Sequence, residues 1–444
     1  MSIALEGHLL EVSSPANLRI NDQIRAFREA CRRGGCNRPY HHFAFGQSPF
    51  PPPPAVVEAL AKCAGHHDYL PTAGLPELRR AIADYYRLHF DLDFLPSQVV
   101  VSPGSKQMIS MILAVLKGTV LIPVPSWVSY LPQAEILRKK VRTLTTRRQT
   151  CFKVTPELLD QAVEGLGGEQ KILIFNQPHN PTGVLYREDE LKSLADVCRR
   201  HRIVVIADEI YARTSFDPQA FTSMARLLPE ATIVTGGLSK DRSCGGYRLG
   251  VGIFPWEPRE LVKNILKVAG STYSCVAAPI QQAALVAYST ENEVDDYVRD
   301  ARAVNALIGR KTATLFSEIE GVETTNPEGG FYLYVDFNAF RARFKRLGIE
   351  TSGQLAKELL QLEHVALLPG DALLLPEDDL SFRCSYVDYD GEEVLQSWRE
   401  KSPRTREEED AFMRNHCPLI VDGVRYIGRY LEQIEEGRRP EHAA

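Results

Sequence analysis

The 444-residue chain has no run approaching the ~18 consecutive apolar residues that a membrane helix needs. Its opening, Met1-Ser-Ile-Ala-Leu-Glu-Gly, lacks the basic and then apolar segments of a secretory leader. Neither a membrane partner nor export is expected, and the cytoplasm is the default compartment. Long basic runs are missing too: 52 Lys and Arg stand against 57 Asp and Glu, a formal charge of −5, so nucleic acid gets no electrostatic support as a partner. Nine cysteines are scattered without CxxC spacing. That argues against a disulfide framework and against a zinc ribbon, leaving reduced, mostly structural thiols and no metal as the expectation. No internal repeat or long low-complexity segment breaks the chain.

What is present is an ordinary globular composition, 44% hydrophobic and 25% charged, in a chain longer than the ~250–300 residues at which single cores stop growing. Two domains follow. The middle alternates strand-like with helical runs, as a mainly parallel sheet covered by helices requires. Strands are predicted at 99–102, 120–124, 172–175, 203–207, 232–235 and 251–254, and a helix at 106–116. Leu191, Leu194, Ala195 and Cys198 mark a further helix by recurring at i, i+3, i+4, i+7. A long charged helix at 291–319 reads as a connector to a smaller α+β unit with strands at 331–337 and 381–385 and helices at 351–364 and 421–434. The predicted organisation is a large α/β domain over 56–300 and a small domain built from both ends, 1–55 with 301–444. Pro49 and Pro51 to Pro54 form a stiff junction, and the charged stretch 399–410 reads as a solvated loop or helix face.

The informative residues lie in order along this scaffold. Lys240 sits in Gly-Leu-Ser-Lys-Asp-Arg-Ser-Cys-Gly-Gly-Tyr-Arg-Leu-Gly, 237–250, with Arg248 two helical turns on. Asp208-Glu-Ile-Tyr211 follows an apolar strand-like run, and an Asn-Pro-Thr-Gly turn starts at Asn180. Taken singly, each has an ordinary explanation: a solvated lysine, a turn, a helix start. Together, in this order and register, they resemble the pyridoxal 5'-phosphate (PLP) site of fold-type I aminotransferases of class I/II, the aspartate aminotransferase type, over about 46–383.

The resemblance implies a role for each matching position. Lys240 would hold the cofactor as a Schiff base and Asp208 would keep its pyridine nitrogen protonated, so that the ring can absorb carbanion electrons. Asp208 ends a predicted strand, where ligands of open α/β sheets collect. Asn180 and Tyr211 would hydrogen-bond the phenolic oxygen, and Trp127 would stack on the ring. Gly104, Ser105 and Lys106, between strand and helix, would offer amides to the phosphate, with Arg248 as its cation. Tyr69 would reach the phosphate of a neighbouring subunit, which implies a homodimer with shared sites. Arg383 would pair with the substrate α-carboxylate through its planar fork, close to the backbone of Gly46 and to Asn180. Lys106, in Gly-Ser-Lys-Gln, also resembles a lysine that reads a distal carboxylate in one aspartate aminotransferase subgroup.

The implied reaction is a ping-pong PLP/pyridoxamine phosphate cycle. It moves an amino group between a dicarboxylic L-amino acid and a 2-oxo acid, with Lys240 as general base and acid. Other PLP reactions at Cα or Cβ (decarboxylation, elimination, acyl-CoA condensation, oxidation) share the scaffold. A PLP-sensing regulator would need a DNA-binding unit ahead of residue 46. Departures from the pattern are Gly237, where Ser or Thr usually binds phosphate; Gln-Ser-Pro at 47–49, where Glu-Pro-Asp is usual; Leu373 in place of an aromatic; and Asp241-Arg242 directly after the lysine.

Overall fold

The computed structural model describes residues 6–12, 16–33, 39–289 and 293–437, with 16–19 as backbone alone. Seven strands form the large sheet, in the spatial order Val99–Ser102, Gly250–Ile253, Thr232–Gly237, Ile203–Asp208, Lys171–Asn176, Thr119–Val124, Val141–Thr145. Gly250–Ile253 runs antiparallel to both neighbours and the remaining pairs are parallel. Every residue of Lys171–Asn176 and of Val99–Ser102 is buried. A parallel sheet covered on both faces has no polar side, so its strands show as continuous apolar runs and were predictable. The edge strand Val141–Thr145 was not predicted. Leu144 is its one buried residue, so it offers no such run.

Helices cover the sheet with the faces their spacing predicts. In Glu188–His201 the residues Leu191, Leu194, Ala195 and Cys198 are all buried, acids fill the first turn and Arg199, Arg200 and His201 the last, as the helix dipole favours. The predicted connector is the 24-residue helix Val294–Ser317. Beyond it lies an antiparallel sheet ordered Leu368–Pro369, Ser381–Ser385, Tyr332–Asp336, Glu323–Thr324. The amino-terminal segment joins this smaller unit. His41–His42 pairs in parallel with Val365–Ala366, and Phe43 accepts from Ser385 N at 2.8 Å. The helix Pro418–Glu435 closes over it, with His41 Nδ1 2.8 Å from the Leu419 carbonyl.

Three expectations are refined. The proline run is not all linker, because Pro54 opens the helix Pro54–Cys63 at a position where a missing N–H costs nothing. The charged stretch enters the helix Arg406–His416, anchored by buried Phe412 and Met413. Cys31 is disulfide-bonded, against the expectation of reduced thiols, while Cys63, Cys151, Cys198, Cys244, Cys275, Cys384 and Cys417 are free; Cys36 lies outside the described residues. Among the described residues no helix is long and apolar enough to cross a membrane.

The sheet places the site by register. Asn176 pairs with Asp208 and Asp208 with Thr235 across adjacent parallel strands. The loops that leave the carboxyl ends of these strands therefore converge on one edge, carrying Gly104, Trp127, Asn180, Tyr211 and Lys240.

Candidate active site

At that edge a cavity of about 350 Å³ is lined by Gly46, Ser105, Lys106, Trp127, Asn180, Asp208, Tyr211, Lys240, Arg248 and Arg383. Ten of the residues singled out in the sequence thus meet in one place. Gly104 lies directly behind, where a Cβ would stand 2.4 Å from Arg248 Nη2. Tyr69 is elsewhere, on a loop, and 91% exposed.

Lys240 Nζ donates to the Gly46 carbonyl at 2.9 Å and stands 5.5 and 5.4 Å from the ring centres of Tyr211 and Phe331. Asp208 is buried, and each of its carboxylate oxygens accepts one side-chain hydrogen bond. Tyr130 donates to Oδ2 at 2.7 Å and Thr235 to Oδ1 at 3.3 Å. Burial pushes the Asp208 carboxyl up, and those two hydrogen bonds and the charge of Lys240 push it back down. Asn180 is fixed from both sides: its amide N–H donates to Asn176 Oδ1 at 2.8 Å and its Oδ1 accepts from Arg383 Nη1 at 3.1 Å. The Tyr211 hydroxyl is 2.9 Å from that of Tyr332, which donates to the Gly46 carbonyl at 3.3 Å. Burial, and then Tyr332, hold the Tyr211 hydroxyl well above its usual range.

At the helix Ser105–Val115 one expectation is corrected. The Gly104 amide donates to the Ser102 carbonyl at 2.7 Å, so it is not available to an anion. Gly104 serves by its φ of +92° and its missing side chain, which let Arg248 approach. The amides of Ser105 and Lys106, in the first turn, have no helical acceptor. Arg248 is pinned over this loop by bonds to the carbonyls of Gly245 at 2.8 Å and Pro103 at 3.2 Å. The departure at Gly237 has a steric cause: a Cβ there would stand 2.7 Å from the Leu249 carbonyl oxygen and 2.9 Å from Gly250 Cα.

Arg383, 4% exposed, donates Nη2 to the Ala44 carbonyl at 2.6 Å and lies 4.5 Å from the centre of the Tyr332 ring, while its buried Nε has no partner. Tyr332 also explains Gly46, since a Cβ at 46 would fall 1.9 Å from the tyrosine oxygen. The Lys106 ammonium sits 5.1 Å from the Trp127 ring centre. Partial desolvation in the cavity, and then the charges of Arg248 and Lys240, lower its pKa.

Sequence reasoning missed Tyr130, Tyr332 and Asn176, which hold Asp208, Tyr211, Gly46 and Asn180 in place. Asn176 directly follows the predicted strand 172–175 and ends the observed one, four residues before Asn180, and that position is a usable signal. The two tyrosines read as core aromatics, with nothing local to set them apart.

The family described as aminotransferase class I and II matches residues 39–395. The chain is 31% identical over 352 residues to the aspartate aminotransferase of Bacillus subtilis (strain 168), covering 77% of this chain and 85% of that one. It is 32% identical over 407 residues to a bifunctional aspartate aminotransferase and glutamate/aspartate-prephenate aminotransferase of Petunia hybrida, covering 87% and 80%. In fold it resembles the aspartate aminotransferase from Thermus thermophilus solved with maleate, with a TM-score of 0.77, 23% identity, and coverage of 96% of this chain and 100% of that one. The fold is that of the fold-type I PLP enzymes. The chain belongs to the class I and II aminotransferases, and is a PLP-dependent enzyme that transfers amino groups.

The residues present fit that cofactor. Asp208, pushed up by burial with no full cationic partner in contact, suits a protonated ring nitrogen that would offset its desolvation. First-turn amides and the Arg248 guanidinium converge where a phosphate would sit. The Trp127 ring forms a wall of the cavity, and the Lys240 amine opens into it.

Proposed function

We propose that this enzyme moves an amino group between a dicarboxylic L-amino acid of the aspartate or glutamate type and a 2-oxo acid. The observation that carries the reading is the pair Arg383 and Lys106, which line one cavity from different elements. Arg383 has a buried Nε without an acceptor, and Lys106 has its ammonium among other cations. Two carboxylates are the ligands such a cavity lacks, since Asp208 is its one acid and is already held by Tyr130 and Thr235.

When bound, the cofactor supplies an electron sink for the pair left at the substrate Cα. Ser105, Lys106 and Arg248 would hold the phosphate end, and Asp208 the ring nitrogen. Asn180 and Tyr211 would donate to the phenolic oxygen, with Trp127 against the ring. Arg383 clamps the α-carboxylate beside Gly46, and Lys106 reads the distal one. Lys240 Nζ would take the substrate Cα proton and later return one, as general base and then acid. Release of the oxo acid and entry of a second complete the ping-pong cycle.

A large domain over 56–300, with 1–55 and 301–444 as the smaller one, goes with this reading, as do closure to exclude water and a cytoplasmic location. The pairing of His41–His42 with Val365–Ala366 supports the two-ended small domain. The outward-facing Tyr69 supports a homodimer in which each chain completes its neighbour's site. The test is a panel of amino acids with 2-oxoglutarate, following cofactor absorbance and products. Aspartate or glutamate should exceed apolar donors in kcat/KM by tenfold or more, and equal rates for alanine would refute the dicarboxylic assignment.

A further inference from the structure

The segment 47–49, one departure from the family pattern, faces the loop that follows Lys240, which carries another at 241–242, and the two segments are tied together through Ser243. Tyr297 donates to the Pro51 carbonyl at 2.8 Å, Ser243 Oγ is 2.6 Å from the Tyr297 oxygen, and Ser48 Oγ is 2.6 Å from Ser243 Oγ. A carbonyl can only accept, so the single Tyr297 proton is committed to it. Ser243 must then donate to Tyr297, and Ser48 to Ser243. The result is a one-directional chain of hydroxyls between the segment that carries Gly46 and the loop that carries Lys240, and Lys240 Nζ itself closes the loop onto the Gly46 carbonyl. Hydrogen bonds linked head to tail in this way strengthen one another.

The other side of the lysine loop is clamped as firmly. Arg242, 1% exposed, lies 4.6 Å from the ring centres of both Tyr85 and Tyr288, donates Nε to the Ala287 carbonyl at 2.9 Å, and pairs with Asp241 at 2.7 Å. Ser243, between clamp and chain, holds a φ of +54°, a conformation that a non-glycine residue adopts at a cost and keeps when its surroundings enforce it.

We infer that Ser243, held between the Asp241–Arg242 clamp and the Ser48–Ser243–Tyr297 chain, is a positioning residue that sets where the Lys240 amine stands relative to the Gly46 carbonyl. This rests on Lys240 being the cofactor lysine. It concerns how this chain, with Ser48 and the Asp241-Arg242 pair departing from the usual pattern, aims that amine. Neither serine touches the cavity, so their effect passes through Lys240 and Gly46.

The test is Ser243→Ala, with Ser48→Ala for a double-mutant cycle. In Ser243→Ala, kcat for the half-reaction with the preferred amino acid should fall about three- to tenfold, as expected for one hydrogen bond, while the Kd for PLP stays within twofold. Adding Ser48→Ala should cost nothing further, because the two serines act as one unit. In the cofactor-free protein, hydrogen exchange should quicken together over 44–51 and 240–245 in Ser243→Ala and nowhere else. An unchanged kcat would overturn the inference. So would a loss in PLP affinity and Tm as large as that in kcat, or additive losses in the double variant. Borohydride trapping on a different lysine of the wild-type enzyme would instead refute the assignment of Lys240, an outcome separate from the exchange result.

Discussion

Tyr130 donates its hydroxyl to Asp208 Oδ2 at 2.7 Å across 78 positions of the chain. It opens the short helix Tyr130–Ile136, three residues after Trp127, whose ring it meets edge-on at 5.1 Å. One aromatic pair therefore serves both the wall of the cavity and the carboxylate at its floor. Burial holds the Tyr130 hydroxyl well above its usual range, with the Asp208 charge adding to it, so it remains a donor throughout the pH range in which proteins are stable.

Removing that donor has a defined consequence. Without it Asp208 loses one of the bonds that oppose its burial, and its carboxyl is pushed up further. A hydrogen bond to a charged group contributes about 1.5–3 kcal/mol. Tyr130→Phe should raise the Kd for PLP by about tenfold or more, read by absorbance titration of the cofactor-free protein. An unchanged Kd would show that Asp208 does not depend on Tyr130.

Cofactor attachment is tested by borohydride reduction of the PLP-loaded protein. The label should appear on the peptide containing Lys240, and Lys240→Ala should abolish transamination while folding normally by circular dichroism. Labelling at another lysine, or turnover at the wild-type rate in the alanine variant, would rule out this lysine.

Substrate choice separates Lys106 from Arg383. Lys106→Ala should lower kcat/KM for aspartate or glutamate about ten- to a hundredfold, the worth of a charge-assisted contact, and leave alanine nearly unchanged. Arg383→Ala should damage both. Equal losses in the Lys106 variant would place that lysine in phosphate binding or in the fold.

Tyr69 is 91% exposed on its own chain and does not line the cavity, the placement expected of a residue that completes a neighbour's site. Tyr69→Phe alone should weaken PLP binding in a dimer. Mixing inactive Tyr69 and Lys240 variants under subunit exchange should restore a fraction of wild-type sites. A fully active monomer by sedimentation and assay at the same dilution would contradict the shared site.

Glu209, buried beside Asp208, bears on stability. Burial raises its carboxyl from an ordinary 4.5 to about 7, against hydrogen bonds from Ser223 and the Met224 amide. The unfolded chain releases this proton near 4.5 and the folded chain retains it to about 7. The contribution is therefore fully present below 4.5 and lost as pH rises through 7. Glu209→Gln, which mimics the protonated form, should show a smaller fall in Tm between pH 5 and pH 7.5 than the wild type. An identical fall would mean that another group sets the slope.

The legible part of this protein was the part in which neighbours in sequence decide the structure. Apolar runs long enough to be buried strands, and an i, i+3, i+4, i+7 face such as Leu191 to Cys198, are local patterns, so the parallel sheet and its helices followed from them. The residue that follows such a run falls at the edge where sites form, which marked Asp208, whereas Lys240 was named by the resemblance of the 237–250 motif to the family pattern. Val141–Thr145 escaped because an edge strand need not be apolar. Gly237 was legible as a departure, but its cause, the carbonyl of Leu249 lying 2.7 Å from any Cβ, belongs to the residue that leads into the neighbouring strand. Tyr130 and Tyr332 could not be assigned from sequence at all. Their partners Asp208 and Tyr211 are 78 and 121 positions away, and a tyrosine whose hydroxyl completes a site is locally the same as one that fills a core. The sequence by itself determined the family and named the candidate residues. Only the tertiary structure decided what holds each of them still, because a hydrogen bond made across a fold depends on distance in space, which local periodicity does not encode.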